Sequence, residues 1–176
     1  MDEGGPGFKS LSDQVDALSM KLWWRLQERN TFWAELMFEK YISRGHPIEV
    51  NGNCGSHTWR RMCSIRDAAD QQMFRQLGCG DMDFWMDCWA LHAPLINLSI
   101  MEDPPQLRVR ELWQGDSWNV SQLCQWLPLG IIPSMVQLRV RPSQHDVVVW
   151  NASPLGTFSS QSAYELVRKR KSSSSS

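Results

Sequence analysis

The chain has 176 residues and a mass of 20.3 kDa, which is enough for one domain. Its formal net charge of -1 excludes a globally basic nucleic-acid coat, so any contact with nucleic acid must come from a local basic patch. No apolar run approaches the roughly 20 residues that a membrane-spanning helix needs, and the acidic start MDEGGPG is unlike a signal peptide. We therefore expect an intracellular chain, cytoplasmic or nuclear, that contacts no membrane.

A first helix is predicted over residues 13–29. Its expected buried stripe recurs at three- and four-residue steps and consists of Val15, Leu18, Leu22 and Leu26, flanked by Trp23 and Trp24. Three cations fall on one line at four-residue steps, namely Lys21, Arg25 and Arg29. Such a line can follow a phosphate backbone, although charge rows of this kind are common on surface helices and a solvated face beside a core stripe is the more ordinary interpretation.

The segment TFWAELMFEKYIS predicts a second helix, capped by Asn30 or Thr31. Only Glu35 and Glu39 form a clearly polar wedge, and most of the remaining circumference is apolar. We expect incomplete coverage of this helix, which would leave an apolar surface over residues 32–42 for a protein partner.

The central stretch, residues 56–89, predicts a helix followed by a tight hairpin. Ser56 is a capping residue, and the apolar stripe after it consists of Met62, Ile65, Ala69 and Met73. The segments FRQL and MDFW would then pair across the turn GCGD, where glycines supply positive φ. The helix and the hairpin are expected to bury their apolar faces against each other.

An aromatic side chain precedes two cations at the start of this helix. Trp59 could stack on a base while Arg60 and Arg61, which lie off the apolar stripe, hold phosphates. The alternative is that Trp59 is a core anchor, as most of the ten tryptophans should be.

The second half predicts smaller elements. Residues 94–107 are proline-rich with little periodicity and are read as a linker, and Asn119 can cap a short helix in NVSQLCQWLP. VVVW predicts a strand, SPLG a turn and TFS a short returning strand. Ser159 or Ser160 can open a last helix through about Arg168, and the basic and serine-rich residues 169–176 should be disordered.

Several of these motifs occur in the order seen in one known family. They are EGGPGF, WWR, TWRRMCSIRD, a Gly-x-Gly turn, the FWxDxW pattern, ELW and the final W-x-x-S-x-x-G-x-F-S-x-x-S-A-Y-E-L. Together they resemble the plant LINE-type (non-LTR) retrotransposon reverse transcriptases, in the region between the polymerase core and the ribonuclease H part. The resemblance implies a connection-like region over 1–93, the linker 94–107, and residues 108–168 leading into a truncated reverse-transcriptase zinc-binding domain.

Catalytic groups of that family are not found in this sequence. Polymerase chemistry needs paired aspartates for two metal ions, and no Asp-Asp pair occurs here. Asp81, Asp83 and Asp87 are clustered, but the resemblance gives Asp87 a structural place in FWxDxW. The family's zinc ligands would follow SAYEL, where this chain has only Arg, Lys and Ser.

Other chemistry finds no support in residue spacing. The five cysteines, Cys54, Cys63, Cys79, Cys88 and Cys124, lack the paired CxxC and HxxxH spacing of zinc sites and are expected to be reduced thiols. No GxSxG, HExxH or P-loop motif is present. We expect no metal and no cofactor.

The sequence thus predicts an α+β fold and a truncated reverse-transcriptase fragment without autonomous catalysis. Its residual activity would be template or primer binding, with RNA or DNA as partner. The residues assigned to it are Lys21, Arg25, Arg29, Trp59, Arg60 and Arg61. The alternatives are a protein-interaction module that uses the 32–42 helix, or a relic with no function.

Overall fold

A computed structural model describes residues 10–173, and these form two compact units. The first unit contains residues up to Gln72 and from Trp150 onward, and the second unit is Met73–Val149. The chain therefore divides at 72/73 and 149/150. Residues 94–107, read as a linker from the sequence, lie inside the second unit.

The described residues contain helices and short strands. The helices are α1 Leu11–Glu28, α2 Phe32–Tyr41, α3 His57–Asp70, α4 Val120–Trp126, α5 Ile132–Met135 and α6 Ser160–Ser173. The strands are β1 Met73–Gln76, β2 Trp113–Gln114, β3 Ser117–Trp118 and β4 Val147–Trp150. β1 pairs with β4, and β2 pairs antiparallel with β3 so that Trp113 lies opposite Trp118. The predicted α+β class is confirmed.

The helix ends follow capping chemistry that the sequence predicts. Thr31 accepts a hydrogen bond from the amide of Ala34 at 3.2 Å, and Ser56 accepts one from the amide of Trp59 at the same distance. Asn119 caps α4 in the same way. These side chains satisfy amides of a first turn that have no partner within the helix.

In the first unit, α1 packs against α2, α3 and α6. Its buried face consists of Ala17, Ser19, Met20, Trp23, Trp24, Leu26 and Gln27. The predicted stripe was wrong in part, because Leu18 is 56% exposed and only Leu26 of its four members is buried. Each tryptophan can bury more apolar area than one leucine, and the face of α1 that carries Trp23 and Trp24 is the one that packs in the core.

The predicted hairpin after α3 was wrong. β1 pairs with β4 instead of MDFW, and the amide of Phe84 donates to the carbonyl of Leu107. The glycine loop GCGD, which separates FRQL from MDFW, is held by the carboxylate of Asp146. This carboxylate accepts hydrogen bonds from the amides of Gly78, Gly80 and Asp81 at 2.7, 2.9 and 2.6 Å. A distant acid thus takes the place of a cross-strand ladder.

The expected packing of the α3 face on the FWxDxW segment is also corrected. Met62 and Ile65 are buried in the first unit, whereas Phe84 and Trp89 belong to the core of the second. Leu95, in a short 3-10 helix at Leu95–Leu98, is 1% exposed in that second core.

The last helix also differs from expectation. No strand forms at TFS, and α6 continues to Ser173 where disorder was predicted from residue 169. Lys171 lies 2.6 Å from a carboxylate oxygen of Asp13 and 3.0 Å from one of Asp16, which ties the end of α6 to the start of α1. The EGGPGF entry and the end of the serine tail lie outside the described residues.

Candidate nucleic-acid interface

Arg60 and Arg61 lie exposed on the first turns of α3. The Ser56 cap and the buried face that includes Trp59 and Met62 fix the helix so that both guanidinium groups point to solvent. No acidic residue occupies the first turn, and no carboxylate in the described part of the chain lies within ion-pair distance of either arginine. The positive end of a helix disfavours cations, so this placement runs against local electrostatics.

Trp59 is a core residue, with 1% of its surface exposed. One face stacks on Tyr41, with ring centroids 4.3 Å apart and planes within 7°, and Trp23 lies 6.3 Å away. In this conformation the indole offers no face to a base. The sequence spacing could have predicted this burial, because Trp59 lies three residues before Met62 and therefore on the same apolar stripe of the helix.

The predicted row on α1 is interrupted. Lys21 is half-buried and Arg25 is exposed, and neither has an ion-pair partner among the described residues. Arg29 ends the helix in a left-handed conformation, donates to both carboxylate oxygens of Glu35 at 3.2 and 2.8 Å, and lies 3.9 Å above the ring of Phe38. The hydrogen bond from Arg29 lowers the pKa of Glu35. The structure therefore presents two basic pairs, Lys21 with Arg25 and Arg60 with Arg61, and occupies Arg29 elsewhere.

One acid in the first unit has an unusual environment that sequence reasoning missed. Burial raises the pKa of Asp70 to about 6, although its carboxylate accepts a hydrogen bond from Trp23 Nε1 at 2.7 Å. His46 and Arg66 nearby act in the opposite direction to burial. A single carboxyl of this kind links the contact between α1 and α3 to pH.

The three clustered acids of the second unit are bound by their own chain. Asp87 accepts hydrogen bonds from Arg75 Nε and from the amide of Asp83, which agrees with the structural role that its motif implies. Asp83 accepts from the amides of Trp85 and Met86. Asp81 pairs with Arg108 and Arg110.

Residues 10–173 contain no group of three or more His, Cys, Asp or Glu side chains arranged to hold a metal ion. All five cysteines are free thiols. Within the same range, no helix combines the length and the apolar character needed to cross a membrane.

Comparison with known proteins gives a plant relative. The chain is 29% identical over 178 residues to a protein of Arabidopsis thaliana whose name describes it as a candidate ribonuclease H protein. The match covers 94% of this chain and 28% of that protein, so the chain spans less than a third of the relative's length. No family model and no solved structure matches the chain.

Proposed function

We propose that this chain is a retroelement-derived segment that binds the backbone of RNA or DNA and has no catalysis of its own. Two observations support the origin: the similarity to a plant protein named for ribonuclease H, and the motif order that resembles LINE-type reverse transcriptases up to the start of their zinc-binding domain. Binding of this kind takes place in the cytoplasm or nucleus.

The observation that carries the binding role is the exposed Arg60 and Arg61 pair. Two guanidinium groups at the positive end of α3, with no described carboxylate to neutralise them, cost stability and are ready to accept an anion. Lys21 and Arg25 supply a second pair on α1, which packs directly on α3. Contacts of this type go to phosphates, so they position a strand without reading its bases.

The absence of catalysis is proposed on the sequence. Phosphoryl transfer by polymerases or nucleases requires carboxylates that hold metal ions in line with the reacting phosphate. The sequence has no Asp-Asp pair, and Asp81, Asp83 and Asp87 are each engaged by arginines or backbone amides.

The test is binding of a labelled single-stranded oligonucleotide to the full chain, followed by fluorescence anisotropy across a salt series. For R60Q/R61Q we expect about 10-fold weaker binding at low salt and a salt slope reduced by about 1 to 2. The double variant should fold, since it removes two cations from the positive end of a helix. R168Q/K169Q removes the same charge from α6 and serves as the control. Equal losses in both double variants would show unspecific attraction and overturn the proposed site.

A specific observation favours a second candidate function, a protein-interaction module on α2. Phe32 is 85% exposed and Leu36 is 53% exposed on the same side of this helix, and Ala34 is the member of α2 that is buried. An apolar contact of this kind changes little with salt, whereas phosphate contacts weaken steeply. This function would be supported if F32A/L36A no longer bound a protein partner of the wild-type chain while its affinity for the oligonucleotide stayed unchanged.

A further inference from the structure

A second cationic cluster, which the sequence did not single out, surrounds the glycine loop of the second unit. Arg108 Nη1 lies 2.8 Å and Arg110 Nη1 lies 2.6 Å from the same carboxylate oxygen of Asp81. The three side chains are each about half exposed, at 55%, 52% and 49%, so the cluster lies on an open surface.

The backbone fixes the two arginines in place. The amide of Val109 donates to the carbonyl of Met82 at 3.1 Å, and the amide of Arg110 donates to the carbonyl of Gly80 at 3.0 Å. Gly80 has a φ of +76°, and a Cβ there would lie 2.9 Å from the Arg110 amide nitrogen. The close approach of the two segments therefore depends on this glycine.

Asp81 is fixed as well, because its amide donates to Asp146. One carboxylate thus gathers two guanidinium groups, while the neighbouring carboxylates of Asp146 and Glu111 accept hydrogen bonds from the backbone amides of Asp81 and Arg108. Each guanidinium has five N–H donors, so several donors per arginine remain for a further acceptor. Arg141, whose amide donates to the carbonyl of Gly78 at 2.7 Å, adds a third exposed cation from another segment that contacts the same loop.

We propose that Arg108 and Arg110, gathered by Asp81, form a phosphate-binding pair that takes the backbone of a nucleic-acid strand. A guanidinium fork matches two oxygens of a phosphate group. A half-exposed site suits a polymer that reaches several cations in succession better than a small molecule, which needs a concave pocket. The ligand class follows from the proposed function, but the site is separate from the Arg60 and Arg61 pair and is tested separately.

Asp81 competes with the phosphate for both arginines, so its removal should strengthen binding. In the anisotropy assay with the full chain, we expect D81N to bind a single-stranded oligonucleotide about 3- to 10-fold more tightly at low salt. D116N removes the same charge from the exposed turn between β2 and β3 and should change affinity less than 2-fold, by about the effect of net charge alone. Equal gains in D81N and D116N would overturn the proposal.

Removal of the arginines should have the opposite effect. R108Q/R110Q should weaken binding about 10-fold and lower the salt slope by about 1 to 2, and unchanged affinity in a folded variant would overturn the site. If that variant does not fold, R108K/R110K carries the test, because lysine keeps the charge near Asp81 but loses the fork, and a loss of about 3-fold is expected. Affinity equal to wild type in R108K/R110K would count against the pair.

Two further arms identify the ligand. Inorganic phosphate is titrated calorimetrically into the wild-type chain, and heat that disappears in R108Q/R110Q while oligonucleotide affinity stays unchanged would assign a small phosphate ligand instead of a strand. Polyglutamate that displaces the oligonucleotide from D81N would assign an acidic peptide and overturn the proposal. A loss in R108Q/R110Q with none in R60Q/R61Q would keep this site and reject the one on α3.

Discussion

The two units reach buried cores by different routes. In the first unit, α1 lies among three other helices, and their backbone amides beyond the first turn are satisfied within each helix. In the second unit regular elements are short, and the backbone is held by side chains that are distant in sequence. Asp146 accepts from three amides 65 to 68 residues away, and indole nitrogens of Trp85 and Trp118 each donate to a carbonyl 20 residues away. Core packing should therefore dominate stability in the first unit, and single polar side chains in the second.

The largest effect is expected from Trp59 in the first unit. Trp59→Ala should lower the free energy of unfolding by about 4 kcal/mol, because it leaves a cavity between Tyr41 and Trp23. Urea unfolding followed by circular dichroism measures the loss. Phe32→Ala deletes an aromatic ring that is 85% exposed and should cost about 0.5 kcal/mol or less. Similar values for the two variants would contradict the anchor role of Trp59.

The next effect tests the polar support of the second unit. Asp146→Ala leaves the amides of Gly78, Gly80 and Asp81 without their acceptor and should cost about 3 kcal/mol. Asp116→Ala, at an exposed turn, is the control and should be close to neutral. Hydrogen exchange should show the loss in peptides from residues 73–149. A loss spread equally over both units would contradict the difference drawn between them.

A change in the opposite direction is expected at Asp70. Because burial raises its pKa from 3.8 to about 6, the folded state favours the protonated acid, and stability is lost as pH rises through that value. Asp70→Asn stays neutral and keeps an acceptor for Trp23 Nε1. Above pH 7 it should raise the free energy of unfolding by about 2 to 3 kcal/mol, and below pH 4 it should match the wild type.

Asp67 provides the control for that pH series. Its side chain is 82% exposed, three residues away on the same helix, so Asp67→Asn should show little pH-dependent gain. Denaturation curves of the wild type and both variants between about pH 3 and pH 8 test this prediction. A gain in Asp70→Asn that is the same at every pH would exclude titration of the carboxyl as its cause.

The smallest effect is expected where α6 meets the start of α1. Lys171→Gln removes the contacts to Asp13 and Asp16 and should speed amide exchange in the last turn of α6 without changing global stability measurably. Lys169 has no carboxylate partner among the described residues, so Lys169→Gln should leave amide exchange in this turn unchanged. In the wild type, about 1 M salt should reproduce the effect of Lys171→Gln, and failure to do so would assign the ordering of this turn to packing.

The difference between the units also explains what could be read from the sequence. Helical period and capping residues predicted α2, α3 and α4 with their caps, and the Met62 and Ile65 stripe placed Arg60 and Arg61 on the open side of α3. The same pattern misjudged α1, since its leucine row and its tryptophan side both have helical spacing, and only the packing partners decide between them.

The fold of the second unit was harder to predict from the sequence, because the contacts that hold it join distant residues and leave no periodic pattern. No residue near GCGD in the sequence identifies Asp146 as the acceptor for its amides. A hairpin was expected because two short runs with aromatic residues flank the glycine turn. Likewise, the sharing of Asp81 by Arg108 and Arg110 joins residues 27 and 29 positions apart and has no spacing signature. Two of the assigned binding residues, Arg29 and Trp59, are occupied by contacts that the sequence could not predict. Arg29 pairs with Glu35 and Trp59 stacks on Tyr41, and both contacts depend on the fold.

The division of the chain determines the order in which its parts are completed on the ribosome. The second unit is one continuous stretch, whereas the first consists of two stretches separated by residues 73–149. Trp24 packs against Trp150 and Phe158, at 5.9 and 6.1 Å, and both are synthesised after the whole second unit. Once residues up to 149 have emerged from the ribosome, the second core can close while the Trp24 side of α1 still lacks its partners. The Trp24 side of α1 therefore stays without its aromatic packing partners until Trp150 and Phe158 emerge.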